Sequence, residues 1–94
     1  MSLQILIDEA AERDYRGLPP EARARVKQRI FALGDDPLPG NATQLGGDLR
    51  GLCRLRVGDY RIVYELDVPA GTLTVIGIAG RREVYDVARR RRPS

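Results

Sequence analysis

Residues 52–66 sort their side chains onto two faces around a single turn, and no other stretch constrains the fold as strongly. Gly58-Asp59 reads as the two-residue turn of a β-hairpin whose arms follow a period-two pattern. Such a turn sets the register: Val57 opposite Tyr60, Arg56 opposite Arg61, and Arg54 opposite Val63. One face then carries Cys53, Leu55, Val57, Tyr60, Ile62, Tyr64 and Leu66, an apolar and aromatic set suited to a core. The other carries Leu52, Arg54, Arg56, Arg61, Val63 and Glu65. Three arginines converge there, and like charges facing each other across a strand pair destabilise it. A surface that accepts this cost has a carboxylate nearby or receives an anion.

Around the hairpin the pattern alternates between periods. Leu3 to Ile7 is a short apolar run that predicts a strand, followed by Asp8 as a helix N-cap and Glu9 in the first turn. Ala11, Tyr15 and Leu18 recur at helical spacing, so residues 9–17 read as a helix ending at Gly17. Leu18-Pro19-Pro20 is a tight connector. A second helix from Glu21 places Ala22, Val26, Ile30 and Leu33 on one stripe and ends at Gly34. Residues 34–51, with five glycines and two prolines, predict a long crossing loop. After the hairpin, Pro69-Ala70-Gly71 turns the chain into a nearly continuous apolar strand from Leu73 to Ala79. Residues 87–94 predict a basic, solvated tail, helical or partly disordered. The expected architecture is α+β in the order β-α-α-β-β-β: an N-terminal strand, an antiparallel two-helix hairpin, then a mainly antiparallel three-strand meander. The helices are expected on one sheet face and the arginines on the other.

Ninety-four residues make one domain, 1–94, with a single modest core. No apolar run approaches the roughly 20 residues of a membrane span, and the first residues lack a signal-peptide layout. One cysteine allows no internal disulfide, which predicts a cytoplasmic location. Charge is uneven along the chain. Residues 1–49 hold 6 basic and 8 acidic side chains, whereas residues 50–94 hold 10 and 5, and all ten of those basic residues are arginine. Arginine's planar fork matches phosphate geometry.

The common catalytic sets are missing from this composition. With no histidine and one cysteine, no zinc or iron site of normal make-up is expected, and neither a Walker loop nor a Rossmann fingerprint is present. No cofactor is expected. Cys53 falls on the apolar face without an imidazole base and reads as a small buried hydrophobe. What remains is arginine plus tyrosine: Arg81 follows the last strand and Tyr85 lies four residues on, both expected near Arg61. The residues by themselves leave three readings open. The set is a plain basic surface, a binder of nucleic acid, or a promoter of ribose 2′-OH attack on the neighbouring phosphodiester.

Leu45, Leu49-Arg50-Gly51-Leu52, the block from Arg54 to Tyr64, and Gly80-Arg81-Arg82-Glu83-Val84-Tyr85 together resemble the RelE/ParE superfamily of bacterial toxins. Leu18-Pro19, a helix and then Asp36-Pro37 fit that family's helical hairpin, so the resemblance runs from Ile5 to Tyr85. It implies a compact α+β fold and a cognate antitoxin of a type II toxin–antitoxin pair. For the RelE-like branch it implies a ribosome-dependent mRNA endonuclease that acts in the ribosomal A site and leaves a 2′,3′-cyclic phosphate. Arg61 and Arg81 match that branch's transition-state arginines, Arg54 and Arg56 its basic strand residues, and Tyr85 its C-terminal tyrosine. Arg50, Arg54, Arg56 and Arg82 are the implied RNA contacts. Gly80 stands where many relatives carry histidine, so the general base stays open between Tyr85 and groups of the ribosome. The alternatives are a ParE-like inhibitor of DNA gyrase, or an inactive member that binds its antitoxin and meets operator DNA only within that complex.

Overall fold

In the computed structural model, which describes residues 2–92, the Gly58-Asp59 turn closes the hairpin at the expected register. Gly58 has φ 60°. The first central residue of a type II′ turn needs such a left-handed value, which only glycine adopts without strain. The two arms are β3 (Leu52–Val57) and β4 (Tyr60–Asp67), and β5 (Thr72–Gly80) continues the antiparallel meander.

Two outer strands widen this meander. β1 (Gln4–Ile7) pairs in parallel with β5, and β2 (Ala42–Gln44) adds to β3 from inside the expected crossing loop. The result is a mixed five-stranded sheet in the order β1-β5-β4-β3-β2. A three-residue 3-10 turn, Gly47–Leu49, completes that connection. β2 escaped the sequence reading because three residues among glycines and prolines are too few to show a period.

α1 (Glu9–Arg16) begins after Asp8, whose backbone is extended but whose side chain makes no capping hydrogen bond. α2 (Pro20–Leu33) opens on proline, whose fixed φ suits the first helical position and whose missing N–H would be unpaired there anyway. α1 packs on β5 and α2 on β3. Together they bury Ala11, Val26, Ile30 and Leu33 against the inward side chains Leu55, Val57, Ile62, Tyr64, Leu73 and Val75. No helix among the described residues is long and apolar enough to cross a membrane.

The opposite face differs from expectation. Of the expected tail at 87–94, residues 87–91 take the helical alternative, but as the packed end of a third helix, α3 (Val84–Arg91), rather than a solvated segment. Val84, Val87 and Ala88 stand at i, i+3 and i+4, the minimum apolar stripe of a helix. Val84 and Ala88 join Leu49, Leu52, Val63 and Ile76 in a second, smaller core. Helices therefore cover both faces, and α3 shares its face with the arginines. Pro93 and Ser94 of the expected tail lie outside the described residues. A bulge in β5 makes room for α3. Val63 pairs with Gly77 and Tyr64 with Val75, which leaves Ile76 without a partner and turns it into the second core. A Cβ at Gly77 would lie 2.6 Å from Val87 Cγ1, so glycine permits the close approach of the helix.

Tyr64 is fully buried, and its hydroxyl donates to the Pro37 carbonyl at 2.6 Å, tying the segment after α2 to the sheet. Burial pushes its phenol well above the ordinary value of 10.0, and the negative charges of Cys53 and Asp36 push the same way. A group with a raised folded pKa contributes stability that is complete below the unfolded pKa and lost as pH climbs past it. Stability should therefore fall above about pH 10 as the unfolded phenol ionises. Tyr64→Phe should cost about 1 kcal/mol at neutral pH and flatten that alkaline decline. Urea midpoints of both proteins at neutral and alkaline pH check this.

Candidate active site

The hairpin register places the guanidinium-bearing residues where the sequence put them. Arg56 and Arg61 face each other across β3 and β4, with Arg54 two residues from Arg56 on the same face. Arg81 and Arg82 occupy the turn between β5 and α3, and Tyr85 sits in the first turn of α3. The folding of α3 onto this face brings its tyrosine to the strands.

Arg54 is the centre of the arrangement. It is half-buried, and its guanidinium donates to the Tyr85 hydroxyl and, at 3.5 Å, to Thr43 Oγ1 on β2. The same guanidinium lies 5.9 Å from the centroid of the Tyr85 ring, within cation–π range. Its Nε is buried with no acceptor among the described residues, a cost tolerated here rather than relieved. Because the Tyr85 oxygen accepts from Arg54, its own proton is free to be directed elsewhere.

Arg61 is held in a different way. Its guanidinium donates to the Gly58 carbonyl at 3.0 Å and to its neighbour's, Tyr60, at 2.9 Å, so the hairpin turn itself orients it. Its pKa is lowered first by partial desolvation, then by the positive charges of Arg54, Arg56 and Arg81, with Tyr85 acting the other way. The charges of Arg54, Arg56, Arg81 and Tyr85 are thus all felt at Arg61. Arginine remains charged at neutral pH even so.

Among the described residues no carboxylate forms an ion pair with Arg54, Arg56, Arg61 or Arg81; the acidic partners serve other arginines. The charges of these four arginines are therefore left without an intramolecular ion pair among the described residues. Not every expected residue gathers here. Arg50 precedes β3 and lines a separate hollow with Gln44, Leu45, Leu52 and Leu66. Arg82 is exposed and makes no side-chain hydrogen bond within the described residues. Thr43 was absent from the sequence reading, and only its pairing opposite Arg54 through β2 reveals it. No cluster of three or more His, Cys, Asp and Glu side chains forms among the described residues.

The largely apolar groove on the other side of the molecule is distinct. About 350 Å³ in volume, it is lined by Ile7, Tyr15, Ile30, Phe31 and Ile78, with Arg16 and Lys27 also on its wall. Phe31 is 62% exposed there.

The profile of the family described as the ParE toxin of type II toxin–antitoxin system, parDE, matches residues 5–85. The chain is 35% identical over 85 residues to the protein named Toxin RelE of Mycobacterium tuberculosis, an alignment covering 86% of this chain and 84% of that one. Among solved structures, the toxin–antitoxin complex RelBE2 from Mycobacterium tuberculosis contains a chain with TM-score 0.79 and 28% identity, over 86% of this chain and 100% of that one. The free E. coli toxin RelE carrying two arginine-to-alanine substitutions superposes with TM-score 0.80 at 23% identity, over 99% of this chain and 100% of that one, and shares its fold. With the match spanning α1, α2, the hairpin and Tyr85, the chain belongs to the ParE toxin family of type II toxin–antitoxin systems, within the RelE/ParE superfamily.

Proposed function

We propose that this toxin is a ribosome-dependent mRNA endonuclease, and the observation that carries the reading is the set of Arg54, Arg56, Arg61 and Arg81, without ion pairs among the described residues, with Tyr85 hydrogen-bonded to Arg54. In the cleavage, a ribose 2′-OH attacks the adjacent phosphorus, the 5′-oxygen of the next nucleotide leaves, and a 2′,3′-cyclic phosphate remains. Negative charge grows on the phosphoryl oxygens as the transition state forms. Arg61, pre-aimed by two backbone carbonyls, stabilises that charge without reorganising, and Arg81 adds a second positive charge. Arg56, with Arg54 beside it, holds the RNA backbone, while Arg50 and Arg82 extend the track. Arg54 fixes the Tyr85 oxygen, leaving the phenol proton to meet an RNA oxygen. Guanidinium groups are poor proton acceptors, so the chemistry depends on positioning and on groups that the ribosome provides.

A second reading draws on the family profile, which is that of ParE toxins, and the resemblance to the ParE-like branch implies inhibition of DNA gyrase. Primer extension on a reporter mRNA in a reconstituted bacterial translation system separates the two. Cuts in phase with the reading frame that appear only with ribosomes support the nuclease. Uncut mRNA together with inhibited supercoiling by purified gyrase supports the other.

The partner that silences the toxin is its cognate antitoxin. The RelBE2 chain of similar fold was solved as a toxin–antitoxin complex, and the groove around Phe31 offers this chain an apolar seat for a helix. Phe31→Asp is expected to weaken antitoxin binding roughly tenfold to a hundredfold and to leave mRNA cleavage unchanged. Calorimetry with the purified antitoxin, beside the cleavage assay, measures both.

A further inference from the structure

The edge of β5 outruns the strand that covers it. β1 ends at Ile7 opposite Val75, while β5 continues to Gly80. Two side chains from different helices take up the backbone groups left there. Asp14 of α1 accepts the Ile78 N–H at 3.0 Å, and Arg91 of α3 donates to the Ile76 carbonyl at 3.2 Å. The same two side chains close on each other as a bidentate fork, with Arg91 Nη1 2.6 Å from Asp14 Oδ2 and Nη2 3.3 Å from Oδ1. This pair differs in kind from its counterparts. Its side chains are 24% and 20% exposed, whereas every other ion pair among the described residues has both members at least 51% exposed. Solvent and salt screen the others far more.

What the fork holds is α3. Eight residues are too few for a helix to persist on its own in water, so its position depends on its attachments. Val84 and the Arg54–Tyr85 hydrogen bond fasten the first turn. Arg91 fastens the last one, against a β5 bulge where Gly77 lets the helix descend. Asp14 lies on the helical-hairpin side of the sheet and makes no hydrogen bond to the arginine cluster, yet through Arg91 it reaches the element that carries Tyr85.

We propose that Asp14 and Arg91 are positioning residues for Tyr85: their fork clamps the C-terminal end of α3 to α1 and β5 and so sets the helix at the height where the phenol meets Arg54. The inference rests on the reading of Tyr85 as part of the cleavage site. A misplacement of about an ångström at a reacting group costs up to a hundredfold in rate, and a freed α3 would produce a shift of that order.

The test uses the full-length toxin with ribosome-bound mRNA, measuring single-turnover cleavage against toxin concentration, with amide hydrogen exchange on the same samples. Asp14→Asn and Arg91→Met should cut the saturating rate roughly tenfold or more and leave the half-saturating concentration within about twofold. Exchange should quicken across residues 84–91 and stay unchanged in β3 and β4. Placed in a Tyr85→Phe background, neither substitution should slow cleavage further, because both act through that side chain. A purely stabilising ion pair would lower the melting temperature without these rate effects. If Asp14→Asn does not fold, Arg91→Lys retains the charge while losing the fork and should give an intermediate rate. Full rates in folded Asp14 and Arg91 variants, beside a slow Tyr85→Phe, would overturn the clamp alone. A full rate in Tyr85→Phe would overturn the role of Tyr85 and the clamp with it.

Discussion

Arg61→Ala is expected to slow mRNA cleavage by about 10²–10³-fold, with the fold intact and antitoxin binding unchanged. The magnitude follows from removing one pre-organised donor that acts on charge developing in the transition state. Arg61 fits that role better than its neighbours because its guanidinium is already aimed by the Gly58 and Tyr60 carbonyls, whereas among the described residues no side-chain hydrogen bond orients the Arg56 guanidinium. The structural cost of the substitution should be close to zero. Arg61 stands opposite Arg56, so its removal relieves a like-charge pair, and any stability change should stay within about 0.5 kcal/mol. Arg61→Lys should recover only part of the rate, since an ammonium keeps the charge and loses the planar fork. Single-turnover cleavage on programmed ribosomes, paired with a urea titration of each variant, reads rate and stability separately. A rate within twofold of the unsubstituted toxin would remove Arg61 from the site.

Ile62→Ala should produce the largest loss of stability. Ile62 is 0% exposed on the central strand β4, between Leu55 and Ile78, and faces the α1–α2 side. Truncating a buried Ile to Ala costs about 2–5 kcal/mol through lost transfer free energy and the cavity left behind. A domain of 94 residues holds roughly 5–14 kcal/mol in total, so this one change removes a large share. The expected result is a much lower urea midpoint with an unchanged slope. Val63→Ala, the next residue along and buried in the second core, should cost less, because that layer contains fewer buried residues and one short helix. If Ile62→Ala shifted stability by under about 1 kcal/mol, the central place of this layer would be refuted.

The hairpin could be read from the chain because everything that defines it is local. A glycine at the turn and alternation over six positions before it and seven after leave one register that buries Leu55, Val57, Ile62 and Tyr64 together. The facing of Arg56 by Arg61, and with it the core of the candidate site, followed from the same arithmetic. The two helices before it were equally legible, since their apolar stripes repeat at 3.6 residues and their ends carry proline and glycine.

Residues that meet across long separations were not legible. β1 and β5 pair over nearly seventy positions, and no local pattern states whether they run parallel. The bulge at Ile76 depends on what packs on each side of β5, so a continuous apolar run gave no hint of it. A cluster of four arginines reads as a solvated tail until Val84 and Ala88 find Leu52, Val63 and Ile76 beneath them. Arg54, which alternation alone assigned to an open face, became half-buried only when α3 laid Tyr85 across it and β2 brought Thr43 alongside. Asp14 and Arg91 stand 77 positions apart, and only the packed sheet places them side by side. Turn chemistry and side-chain period thus settled the hairpin and the faces of its arginines in one dimension. The assembly of the strands, the seat of α3 and the environment of Tyr85 arose from burial, which exists only once distant segments share a core.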